Sequence, residues 1–191
     1  MATKMFKESV PSDVPEILEA ILGENLERLV RYSWIPLNEA VDEYNIMEED
    51  AFSLTAGPVL IYFKSGLVIG VSSRPDKNSV TLWVEKNELG EQDGNPLENR
   101  ELFPIDAKNS TKFWSCLAGK KVVSIRGINS TPRNAKLEEL PNEVGLVFVL
   151  ESGEEFVLSH GLHDGTDDFS VITMDQISKD IVPELVDVVL Y

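Results

Sequence analysis

Cysteine, histidine and positive charge are all scarce in this chain of 191 residues. Cys116 is the only cysteine, so no internal disulfide can form, which suits a reducing compartment. No apolar run approaches the roughly 18 residues that a membrane span requires. The opening, MATKMFKESVPSDVPE, has no apolar stretch of the kind that directs secretion. These absences predict a cytoplasmic protein that does not associate with membranes. Lys and Arg number 17 against 33 Asp and Glu, for a net charge of −16. That balance argues against nucleic acid as a partner, because nucleic acid rewards positive charge. It permits binding to a basic protein. Signature motifs are missing too: there is no Gly-rich phosphate loop, nucleophile elbow, paired-cysteine zinc motif or HExxH. No motif fixes a reaction, and none calls for a cofactor.

What is present describes a globular chain. Hydrophobic residues make up 42% and charged residues 26%, enough to build a core without a disulfide or metal. The expected architecture is one α+β domain over 1–191, with a helical part at 1–52 and a mainly β part at 57–191. Its helices would pack on a mainly antiparallel, strongly twisted sheet of about six to eight strands. The helical expectation comes from 13–34, where Val14, Ile17, Leu18, Ile21, Leu22, Leu26, Leu29 and Val30 recur at helical spacing. Gly23 is a possible break in that run. A second short helix fits Leu37, Ala40, Val41 and Tyr44.

From residue 57 the texture becomes that of strands. PVLIYFK and LVIGVSS flank Ser65-Gly66 as a hairpin, and SVTLWVEK extends it into a meander. VGLVFVL and EEFVLSH flank Ser152-Gly153 as the clearest hairpin. Alternation places Phe156, Leu158 and His160 on one face of its second strand. FSVIT reads as another strand, and LVDVVLY could close the sheet. The segment 88–100 is polar and turn-rich, a long exposed loop and a candidate contact surface.

Charge is unevenly placed. Seven basic residues and no acidic one occupy 107–137: Lys108, Lys112, Lys120, Lys121, Arg126, Arg133 and Lys136. From 135 onward, 13 acidic residues face only Lys136 and Lys179. Either the two blocks pair within one fold, or each forms a separate recognition face. Phe113 and Trp114 beside the basic block would suit single-stranded nucleic acid, a reading the overall charge disfavours. Cys116, between aromatic and apolar neighbours, is expected to be a buried, inert thiol.

Both histidines fall in LSHGLHDGTDDF, as His160 and His163, followed by Asp164, Asp167 and Asp168. Two imidazoles and a carboxylate can hold zinc or iron with positions left open for water. A small metal-dependent hydrolase using His160, His163 and Asp164 is therefore the alternative enzymatic reading. The plainer reading is strand-end and turn chemistry, since Asp164-Gly165 is a common turn pair. A third is a contact loop whose charges meet a partner.

The helical opening DVPEILEAILGENLERLV, the meander VLIYFKSGLVIGVSS and the stretch VGLVFVLESGEEFVLSHGLHDGTDDFSVIT together resemble the immunity proteins that bacteria pair with polymorphic or contact-delivered toxins. The resemblance is one of texture and architecture. It implies a non-catalytic acidic protein that binds and blocks a basic toxin. The expected contact residues are Glu151, Glu154, Glu155, His160, His163, Asp164, Asp167 and Asp168, with 88–98 as a possible extension.

Overall fold

The computed structural model describes residues 3–4, 7–92 and 94–191. Among these residues, ten strands form two antiparallel sheets. The first sheet contains β1 (Leu26–Ser33), β2 (Val59–Phe63), β3 (Val68–Arg74), β4 (Ser79–Lys86) and β5 (Phe103–Asp106), in the order β4-β3-β2-β1-β5. The second contains β6 (Val122–Ser130), β7 (Glu143–Leu150), β8 (Glu155–His160), β9 (Phe169–Ile172) and β10 (Leu185–Val189), in the order β10-β6-β7-β8-β9. The α-helices are short: α1 (Pro15–Ile21), α2 (Leu37–Asp42), α3 (Ala51–Leu54), α4 (Lys112–Ser115) and α5 (Ala135–Glu138).

The α+β class holds in this coarse form, but three expectations are corrected. The sheet is two sheets, the strands number ten, and the helices are distributed along the chain rather than gathered before residue 52. The expected helix over 13–34 is α1 followed by β1. Gly23, at a φ of 81°, turns the chain between them, a conformation glycine adopts at little cost. The rest of the error has a specific cause. A bulge between Leu26 and Arg28 shifts the pairing with β2, so Leu26 and Leu29 both face the core although three residues apart. That spacing imitates a helical stripe.

The two sheets share one core. Leu29, Ile61, Phe63, Ile69, Val71, Leu82 and Val84 from the first meet Ile125, Leu146, Phe148, Phe156, Leu158 and Val171 from the second. Ile17, Leu18 and Ile21 of α1 join the same cluster. Phe156 stacks on Phe148 at 5.1 Å, and Trp114 meets both Phe52 and Phe156 edge to face. The outer faces are also apolar in part, and each is covered by a loop. Leu97 lies over Val30, Tyr32, Leu60 and Val68 of the first sheet, while Leu162 and Ile177 lie over Val147, Val157 and Ile172 of the second. Glu85 fastens the first cover by accepting the Leu97 backbone N–H and the Trp83 indole N–H. Within 88–100 residue 93 lies outside the described residues, and the others are tied to the sheet rather than free: Glu98 accepts from the Tyr62 hydroxyl at 2.7 Å and Glu91 from the Asn87 amide at 2.6 Å.

Candidate functional site

The loop 161–168 is built by backbone turns. Gly161, at a φ of 70°, donates its N–H to the Asp168 carbonyl, and Gly165 donates back to Gly161. A Cβ at Gly161 would lie 2.6 Å from the Thr166 carbonyl oxygen, so the close approach demands glycine. Asp164 caps the turn by accepting the Thr166 N–H at 3.0 Å and its hydroxyl at 2.7 Å. Partial burial pushes the Asp164 carboxyl upward, but the two Thr166 bonds together bring it below its ordinary value. Asp164-Gly165 is thus a turn pair.

The two histidines have different environments. His160 ends β8 opposite Phe169, with its side chain almost wholly buried. It shares the inward face of β8 with Phe156 and Leu158, as alternation predicts. His163 lies in the loop, with Nδ1 3.3 Å from the Gln176 carbonyl oxygen. Asp167 approaches His160 Nε2 only to 3.9 Å and is itself largely exposed. Among the described residues, no three His, Cys, Asp or Glu side chains come together as metal ligands would. The alternative set of His160, His163 and Asp164 is not drawn into one site.

His160 is polar where the fold wants an apolar group. Among the described residues its Nδ1 has no hydrogen-bond partner. Burial lowers its pKa from 6.5, against a smaller upward pull from Asp167. The folded state therefore favours neutral imidazole. The stability due to this preference is complete above pH 6.5 and is lost as pH falls from there through the depressed folded value. His160→Leu is expected to raise the unfolding free energy at pH 7 by about 1 kcal/mol, because an unsatisfied buried polar atom disappears. Its advantage over the parent should widen as pH falls below 6.5. Urea denaturation of both proteins across that range is the measurement, and a destabilised variant would show that the imidazole has a polar partner.

The acidic residues expected to meet a partner are largely engaged within the chain. Lys120 pairs with Glu154, whose pKa it lowers to about 2 together with the Ser152 hydroxyl. Arg126 holds Glu155 at 2.7 Å and also pairs with Asp187. Arg133 pairs with Glu184, and Glu151 accepts the Lys121 N–H. Lys120, Arg126 and Arg133 of the basic block thus pair with acids of the last third, while Lys108 pairs with Asp106 in the first sheet. Glu154 and Glu155 are consumed by that pairing, whereas Glu151 meets only the Lys121 backbone N–H and stays exposed, so Glu151 together with Asp167 and its loop is the outward-facing remainder of the expected surface. Trp114 is buried in the core, and Cys116 is exposed, contrary to the expected buried thiol. The aromatic run turns Trp114 inward and leaves the cysteine on the opposite side of the short α4.

Sequence reasoning missed two features. The first is Arg31, fully buried between the sheets. It donates to four carbonyl oxygens, those of Phe52 (2.7 Å), Gly57 (2.8 Å), Ser53 (2.9 Å) and Phe169 (3.0 Å). Burial lowers its pKa to about 9, so it remains charged at neutral pH. The second is the excursion 34–58 between β1 and β2. It carries Glu39, Asp42, Glu43, Glu48, Glu49 and Asp50 and no basic residue. The same excursion exposes Trp34 (63%), Met47 (60%), Tyr44 (59%) and Val41 (36%). Exposed Trp and Tyr among uniform negative charge is the signal that the sequence already held. Reading Val41 and Tyr44 only as members of a short helix left it unused.

No family model matches the chain, and no curated protein or solved structure matches it either. The functional reading therefore rests on the chain's own surface.

Proposed function

We propose that this protein is a non-catalytic binding protein for a basic protein partner. In its sharper form, the reading is an immunity-type inhibitor that occupies a basic toxin and keeps substrate from it. The observation that carries it is the excursion 34–58, where Trp34, Tyr44 and Met47 are exposed among six acidic residues and no basic ones. Trp and Tyr supply most binding energy at protein interfaces because they desolvate large areas at small entropic cost. The surrounding carboxylates would speed encounter with a positive surface and fix its orientation. Asp167 and its loop can add to the same field, whereas Glu154 and Glu155 are already neutralised by Lys120 and Arg126.

The test is capture on the immobilised chain from its native host, at low and at moderate salt. The expected result is a basic protein retained in both, with an association rate that falls steeply as salt rises. Recovery of no protein under either condition would count against the reading. So would capture of an acidic protein with salt-independent kinetics.

A further inference from the structure

A β-sheet edge offers unpaired N–H and C=O groups, and folded proteins usually blunt it. Three of the four edges in this fold are blunted. β4 is covered by Ser9, which exchanges two backbone hydrogen bonds with Leu82. β5 is only four residues long and contains Pro104. All four residues of β9 are buried, α3 packs on it, and the Phe169 carbonyl is taken by Arg31.

Among the described residues, β10 has none of these devices. Its sequence is LVDVV, with no lysine or proline inside and no buried residue. Val186, Val188 and Val189 are exposed on it, beside exposed Val182. Its only charge, Asp187, is already paired with Arg126. The ladder to β6 runs through Glu184, bonded to the Thr131 N–H, and Leu190, which donates to Ile125. By alternation, Leu185, Asp187 and Val189 point their backbone groups away from the sheet.

We infer that β10 is the contact surface for a second copy of this chain, paired antiparallel across a two-fold axis at Val188. Two-fold pairing requires the outward-facing residues to meet one another. Centring it on Asp187 would oppose two carboxylates. Centring it on Val188 sets Asp187 opposite Val189 of the other copy and puts the two Val188 side chains together. That register forms about four main-chain hydrogen bonds between Asp187 and Val189 of the two copies and makes one continuous sheet from both second sheets. Local charge selects a second copy as the occupant. A chain at −16 repels itself wherever its acids are unpaired. Around β10 every one of these acids has a cationic contact, Asp187 and Glu155 sharing Arg126 and Glu184 taking Arg133, so the local charge is close to balance at −1. A basic partner would find only one unmatched negative charge here, and an apolar edge this close to charge balance can pair with itself.

Sedimentation velocity of the full chain from low to high micromolar concentration should show a shift from one-chain to two-chain mass. Val188→Lys places two ammonium groups at the axis and should raise the dimer dissociation constant at least tenfold, with unchanged circular dichroism. In a Cys116→Ser background, Val188→Cys should cross-link two chains under oxidation. The axial pair is separated by about 4.5 Å between Cα atoms, within disulfide range. Val186→Cys should cross-link far less, because it would face residue 190 of the other copy. A one-chain mass at every concentration, a dimer insensitive to Val188→Lys, or equal cross-linking at 186 and 188 would each overturn the inference. If Val188→Lys fails to fold, the cysteine pair decides alone.

Discussion

Arg31→Leu should lower the unfolding free energy by about 3–5 kcal/mol, the largest loss expected from any single polar side chain in the fold. The guanidinium makes four hydrogen bonds to backbone carbonyls. Bonds from a charged donor contribute about 1.5–3 kcal/mol each. Against them stands the cost of burying the charge, which shows in its lowered pKa. Leucine recovers that cost but leaves four buried oxygens without donors. The position of those oxygens links stability to the proposed docking surface. Phe52, Ser53 and Gly57 lie where the excursion 34–58 returns to β2, and Phe169 opens β9 in the other sheet. Arg31 thus holds the return of the excursion against both sheets. Hydrogen exchange in the variant should quicken first in 34–57 and β9, before the β2-β3-β4 meander loses protection. Arg31→Lys should fall between parent and leucine variant, since an ammonium carries the charge but cannot span the same carbonyls as a planar fork. Urea denaturation of the three proteins orders them. A leucine variant within about 1 kcal/mol of the parent would show that the carbonyls find other donors.

Local periodicity made the strands with local partners legible. The β2-β3-β4 meander and the β7-β8 hairpin join neighbours through short turns, so alternation and a turn pair suffice to specify them. His160 is legible for the same reason, sharing the inward side of β8 with Phe156 and Leu158. β1 was not legible, because its pairing partners are distant. It lies between β2 and β5, and the Arg31–Ile105 pair spans most of the first sheet's sequence. Its bulge also gave Leu26 and Leu29 a helical spacing. The same misreading put Arg31 inside the expected helix over 13–34, where an arginine off the apolar stripe is unremarkable. As the inward residue after Val30 on a central strand, it is an internal cation that needs several acceptors. The charge blocks were visible in sequence, but which acids remain unpaired was not. That outcome depends on β6 running beside both β7 and β10, which brings Arg126 between Glu155 and Asp187.

If the excursion 34–58 is the docking surface, Trp34→Ala together with Tyr44→Ala should weaken binding of the captured basic protein by at least about 100-fold. Truncating a central aromatic anchor costs roughly 2–4 kcal/mol, and about 2.7 kcal/mol corresponds to that factor. The unfolding free energy should hardly change, because both side chains are mostly exposed in the free protein. The loss should appear in the dissociation rate, since short-range contacts hold the complex after encounter. Asp167→Asn with Asp168→Asn provides the opposing case. Those substitutions should reduce affinity less than tenfold, chiefly through a slower association rate at low salt, with the difference vanishing as salt rises. Surface plasmon resonance at two ionic strengths separates the two patterns. If the aspartate pair costs more than the aromatic pair, and does so in the dissociation rate, the contact surface is the 160–168 loop and the excursion is peripheral. The magnitudes favour the aromatics. An exposed carboxylate in water interacts at high dielectric, whereas Trp34 and Tyr44 would exchange water for a packed partner over their full area.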